Sequence, residues 1–245
     1  MYSFMKRKYV NIIFLFLFLF LCILFSKKGI VIIKQLLNNE PNKITVVLDA
    51  GHGGFDPGKI GINKALEKDI NLSFVYKLKK LLEQNDINVI LTRKDKNGLY
   101  KDSDKDKKRV DMKKRISIIN SSDAFITVSI HQNSFQQESS WGAQVFYYTK
   151  SIDGKMLAET LQETIKNSMS DGNHRLAKAN SNYFLFLKSN CPTVIVECGF
   201  LTNRREADLL CTDSYQDKMA WAIHLGIMKY INKYRKTNST PLANQ

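Results

Sequence analysis

The sequence predicts an α/β fold, a mostly parallel sheet flanked by helices on both faces, with one N-terminal transmembrane helix ahead of it. Three observations carry this reading. Short β-branched runs alternate with stretches of helical periodicity, the order expected of strand–helix–strand units. The 245 residues, 44% of them hydrophobic, suffice for one sizeable core, and no internal repeat asks for a second domain. Residues Val10 to Phe25 carry no charge and lie between Lys6, Arg7 and Lys8 on one side and Lys27 and Lys28 on the other, as a membrane segment does.

The apolar run is a little short for a spanning helix, and Tyr9 with the flanking lysines extends it at the interfaces. A cleaved secretion signal shares the basic start and apolar middle. The SKKGIVII that follows Phe25, however, has no small-residue cleavage site, which favours an uncleaved anchor with the secreted form as the alternative. The expected organisation is a cytoplasmic start and signal anchor at residues 1–29, a spacer at 30–42, a folded body at 43–235 and a polar tail at 236–245. The body then lies outside the cytoplasmic membrane.

Within the body, Ile44 to Asp49, Ile87 to Thr92 and Ala124 to Ile130 read as buried strands. Between the first two, Ile70, Phe74, Leu78 and Leu81 form one helical stripe. Met112, Ile116 and Ile119 mark another helix. Ala143 to Tyr148 and Thr193 to Glu197 read as further strands, with Tyr183 to Leu187 a lesser strand candidate. Helices are expected after Ser151, from Leu157, Leu161 and Ile165, and from about Ser214 to Tyr234.

A net charge of +14 suits contact with a polyanion, which outside a cell means membrane or wall polymer rather than nucleic acid. The lysines of Lys101 to Arg109 are interleaved with aspartates, so a solvated loop is the simpler reading there. Cys191, Cys198 and Cys211 show neither paired metal spacing nor a disulfide pattern, and read as buried free thiols.

Chemistry collects beyond the carboxyl ends of strands in a sheet of this kind. The first strand runs into DAGHGG, placing His52 in a glycine-rich turn. The third strand ends in His131, and the strand from Thr193 ends in Glu197. Glu67 shares the stripe of Ile70 and Phe74 but sits in the first helical turn, beside the same edge. An inward carboxylate needs a partner, and a zinc ion held by His52, Glu67 and His131 would supply it with one position left for water. Glu197 would then be free to move protons.

Each residue also has a plainer reading. His52 can decorate a loop, His131 can be a hydrogen-bonded strand end, Glu67 a first-turn acid favouring the helix dipole, and Glu197 a partner of Arg204 or Arg205. One zinc site accounts for all four at once. His174 and His224 have no such case and are assigned no ligand role.

The segments VVLDAGHGGFDPGKIG, LEKDINL, DAFITVSIHQNS and PTVIVECGFLTNRREADLL resemble the zinc-dependent N-acetylmuramoyl-L-alanine amidases of the amidase-3 type. The resemblance spans about Lys43 to Tyr234. It implies a mixed six-stranded sheet, one zinc ion on His52, Glu67 and His131, Glu197 as the catalytic carboxylate, and peptidoglycan as substrate. The short connection from His131 to Trp141 lacks the long insertion of autoinhibited relatives. A short body behind one hydrophobic segment, without wall-binding repeats, is most similar to the sporulation and germination members. These act on spore cortex, permitting muramic-δ-lactam formation. An activating lipoprotein or scaffold is left open as a partner, beside peptidoglycan and the membrane. Two other readings stay open: a membrane-anchored peptidoglycan-binding scaffold with weak or no catalysis, and a zinc peptidase cutting the stem peptide.

Overall fold

The computed structural model describes residues 13–22 and 43–239, the side chains of 236–239 excepted. The chain divides into two units, Met1–Lys43 and Ile44–Gln245. Of the first, residues 13–22 are helical with exposed side chains. The ends of the expected anchor and the whole spacer lie outside the described residues. No described helix is long and apolar enough to cross a membrane.

In the second unit six strands form one sheet in the order β2-β1-β3-β6-β4-β5. They are β1 (Thr45–Ala50), β2 (Asn88–Leu91), β3 (Ile126–Asn133), β4 (Gln144–Tyr148), β5 (Lys178–Asn180) and β6 (Thr193–Phe200). Every neighbouring pair is parallel except β4 with β6, so the sheet is mixed and mostly parallel. The helices are α1 (Glu67–Glu83), α2 (Lys107–Ser121), α3 (Ile152–Met169), α4 (Phe184–Lys188), α5 (Arg204–Leu210) and α6 (Asp213–Ser239).

The two-residue repeat of a strand sorts its side chains between two cores. Val46, Leu48 and Ala50 join Val128, Ile130 and Val196 in the larger cluster, against α1, α3 and α6. Val47 and Ile195 turn the other way, against Ile119 of α2 and Leu185 and Phe186 of α4. Burying each Leu or Phe of this kind stabilises the fold by roughly 1.5–3 kcal/mol, which is what seats α1 through Phe74, Leu78 and Leu82.

Four expectations need correction or extension. Tyr183 to Leu187 is not a strand: Phe184–Lys188 is a single short helix. The Asn180 side chain accepts from the backbone amides of Asn182 and Tyr183, turning the chain just before the helix, and Leu187 N and Ser189 N donate to Tyr183 O and Leu185 O, four residues back. The strand in this part of the chain is instead β5, Lys178–Asn180, too short and polar to stand out. Helix α5 was not anticipated, although Asn203 caps it by accepting from Glu206 N, an Asn-x-x-Glu start. Helix α6 runs on to Ser239, into the residues expected as a polar tail. Finally, of the three body cysteines only Cys198 is buried. Cys191 is half-buried, and Cys211, at the exposed end of α5, is open to solvent.

Candidate metal centre

In register, Asp49 lies beside Ser129 and Ser129 beside Ile195, and two residues later His131 lies beside Glu197. By strand alternation these positions face the α2 side, opposite the larger core. The sheet thus presents a short ladder of polar groups that ends, at its carboxyl edge, in His131 and Glu197. The register shifts after His131, so the ladder stops there.

His52 arrives from the turn after β1 with φ of 63°, a left-handed conformation unusual for a residue with a Cβ. Glu67 is the first residue of α1 and is buried. Its Oε1 lies 3.0 Å from His131 Nδ1 and 3.2 Å from His52 Nε2. Lys59 N donates to its Oε2 at 2.7 Å, and Gln132 N to its Oε1 at 3.1 Å. Two glycines make room. A Cβ on Gly51 would stand 2.2 Å from His131 Cε1, and one on Gly58, whose φ is +67°, would stand 2.5 Å from Glu67 Oε2. On the far side of His52, Nδ1 lies 3.0 Å from Asp56 Oδ2, which fixes the ring so that Nε2 faces Glu67.

The electrostatics are those of a site built for a cation. Burial works to lower the His52 imidazole, but hydrogen bonds to Asp56 and Glu67 outweigh it and hold the ring at about 9. Asp56 is lowered to about 2, chiefly by its hydrogen bond to His52. Glu67 also lies well below the carboxylate range, since His131 and His52 overcome the opposing effect of burial. Positive charge is therefore drawn to one point, and a divalent ion can take the place of the proton there.

The donor set suits zinc. Two imidazole nitrogens and one carboxylate oxygen lie within 4.8 Å of one another. A tetrahedral ion with bonds of about 2.0–2.1 Å separates its ligand atoms by about 3.3 Å, close to the two distances at Glu67 Oε1. Three protein ligands leave the fourth position for a reactant.

Glu197 stands apart from this cluster chemically. Its Oε2 is buried and has no hydrogen-bond partner among the described residues, Arg204 and Arg205 included. Burial pushes its carboxyl up to about 7. Together with His52 and His131 it borders a cavity of about 140 Å³ whose wall includes Phe55, Tyr100 and Met112. All four site residues expected from the sequence are therefore brought to one place. The two other histidines are not: His174 is exposed, and His224 is buried on α6 with Nε2 3.1 Å from Asn85.

The family model for N-acetylmuramoyl-L-alanine amidase matches residues 46–229. The chain belongs to this family. The amidase is 34% identical over 191 residues to the germination-specific N-acetylmuramoyl-L-alanine amidase of Bacillus subtilis strain 168, covering 77% of this chain and 80% of that one. It is similar to the structure of the CwlD amidase from Clostridioides difficile in complex with the GerS lipoprotein, at 42% identity and a TM-score of 0.76 over 78% of this chain and 100% of that one. The N-acetylmuramoyl-L-alanine amidase from Clostridium difficile 630 is similar at 33% identity and a TM-score of 0.69, over 78% of this chain and 98% of that one. The amidase accordingly hydrolyses the N-acetylmuramoyl–L-alanine bond of peptidoglycan.

Sequence reasoning missed the groups that support the cluster. Asp56 follows His52 by four positions in the same turn, a spacing that could have marked it. Arg115 falls between Met112 and Ile119 on the inward stripe of α2, where a buried cation signals a buried partner; that partner is Asp49, 2.6 Å away.

Proposed function

We propose that the amidase holds one zinc ion through His52, Glu67 and His131, that Glu197 is its proton carrier, and that its substrate is spore cortex peptidoglycan. The observation that carries the mechanism is the buried, unpaired Oε2 of Glu197 beside the three-ligand cluster. When bound, the ion supplies Lewis-acid polarisation of the scissile carbonyl and acidifies a water.

The chain's own residues do the rest. Glu197 takes a proton from the attacking water and returns it to the departing alanine nitrogen, a cycle suited to a carboxyl near 7. Asp56 keeps His52 in the tautomer that presents Nε2. Phe55, Tyr100 and Met112 supply an apolar wall on which the CH-rich faces of a sugar and its lactyl group can rest, with the amide directed toward the polar floor.

Several features support the cortex assignment. The relatives include a germination-specific amidase, and the similar CwlD amidase was seen with a lipoprotein. An N-terminal anchor from Val10 to Phe25 would hold the body outside the cytoplasmic membrane, beside such a partner and such a substrate. Cutting this amide frees the muramic lactyl carboxyl that lactam formation needs.

Mass spectrometry of muropeptides from cortex treated with the protein tests this reading. Glycan strands bearing N-acetylmuramic acid with a free lactyl carboxyl, together with released stem peptides starting at L-alanine, are expected, and chelation should abolish both. Products cut within the stem peptide, or cleavage indifferent to chelator, would overturn it.

A further inference from the structure

Two arginines outside the ligand set converge on the turn that carries His52. Arg93, buried just after β2, donates from Nε to Ala50 O at 2.8 Å and from Nη2 to Gly51 O at 3.1 Å. Arg115, buried on α2, donates from Nη1 to Ala50 O at 2.7 Å and from Nη2 to His52 O at 2.5 Å. Three successive carbonyls are thus held by guanidinium N–H groups immediately before and at the left-handed residue. Arg93 reaches further. Its Nη2 also donates to Lys68 O at 2.7 Å, so one side chain ties the His52 turn to the first turn of α1, where Glu67 sits.

The two cations are not equivalent. Arg115 faces Asp49 and Asp111 at ion-pair distance, a partnership that accounts for its burial. Arg93 has no carboxylate at ion-pair distance among the described residues. Its hydrogen-bond partners are backbone carbonyls, and burial and the neighbouring Arg115 lower its guanidinium to about 10. A buried cation held only by carbonyls is an expensive way to fill space, and what it does here is fix backbone between two ligand-bearing segments.

We propose that Arg93, assisted by Arg115, is a positioning residue that holds His52 and Glu67 at ligand spacing and so sets the affinity of the cluster for its divalent cation. The proposal rests on the metal reading given above. It predicts a particular division of effects. A group that only stabilises the fold lowers the unfolding midpoint with and without metal alike, whereas a group that arranges ligands loses mainly the extra stability that metal confers.

The test uses the full chain and zinc itself, measured by competition with a chelator of known affinity, alongside unfolding midpoints of chelated and zinc-saturated protein. Arg93→Lys keeps the charge, but three donors on a single nitrogen cannot reach the four carbonyls, of Ala50, Gly51, Lys68 and Asp95, that the planar guanidinium holds. It is expected to raise the zinc dissociation constant about 10- to 100-fold and to shrink the zinc-induced rise in midpoint. Leu161→Ala, at a buried position in the larger core, is the control: it should lower both midpoints and leave the zinc constant at the parental value. Arg115→Lys adds a second reading should Arg93→Lys fold poorly. Arginine variants that bind zinc as the parent does, or that follow the pattern of Leu161→Ala, would overturn the positioning role while leaving the metal site intact. A parent protein that binds no zinc would overturn the metal reading and this proposal with it.

Discussion

Replacing Gly51 by alanine adds one methyl group at the tightest point of the site. The new Cβ would lie 2.2 Å from His131 Cε1, 2.3 Å from Nε2 and 2.6 Å from Nδ1, so it meets the ring itself and not a flexible end. Carbon contacts settle near 3.5 Å, and the ring would have to retreat by about 1.3 Å. Metal–ligand distances tolerate about 0.2 Å, so His131 leaves the ligand set while the other two remain. Gly51 does not have a positive φ, so the effect is steric rather than conformational. Overpacking of this kind costs about 1–3 kcal/mol of stability, less than a domain usually has. The expected result in Gly51→Ala is a folded protein, by urea unfolding, whose zinc affinity falls at least about a hundredfold by chelator competition. Parental zinc affinity with parental hydrolysis would refute the geometry on which the site is built.

Other outcomes follow from the same contacts. Asp56→Asn removes the carboxylate beside His52 Nδ1 and should weaken zinc binding about 10- to 100-fold by the same competition, while also lowering the unfolding midpoint of the chelated protein at neutral pH, where the Asp56–His52 pair is charged. Ser129→Ala removes a hydroxyl that donates to Asp49 Oδ2 at 2.6 Å. Burial acts to raise Asp49, but Arg115, Ser129 and Thr92 outweigh it and hold the carboxyl well below its ordinary value. Its contribution to stability is therefore full above the unfolded pKa of about 4 and is lost as the pH falls further. Ser129→Ala should accordingly lose about 1.5–3 kcal/mol at pH 7, and in urea titrations the deficit should persist below about pH 4, narrowing only as the pH approaches the depressed folded-state value of Asp49.

The strands that deliver His131 and Glu197 were legible because β-branched runs ending abruptly in a polar residue leave few alternatives for where that residue lies. Glu67 was legible because its spacing from Ile70 and Phe74 put a carboxylate on an inward face. What escaped depends on contacts distant in the chain. Nothing local to His52 announces a left-handed φ, because the carbonyls that define the turn are held by Arg93 and Arg115, about 40 to 65 positions on in sequence, and such partners follow from the fold, not from spacing. The run at Tyr183 misled for a different reason. Five apolar residues suit a buried strand or one helical turn equally well, and the preceding Asn180 turn, together with hydrogen bonds four residues back along the chain, decided it. In Cys211, helix-end position outweighed the usual preference of cysteine for the interior.

Metal content measured together with turnover, in the parent, Glu197→Gln and His131→Ala, addresses the core of the account. One zinc per chain is expected in the parent and in Glu197→Gln, with hydrolysis falling about 10²- to 10⁴-fold in the latter, and loss of both metal and hydrolysis is expected in His131→Ala. Glu197→Gln turning over muramoyl peptides at the parental rate, or His131→Ala keeping its zinc, would contradict it.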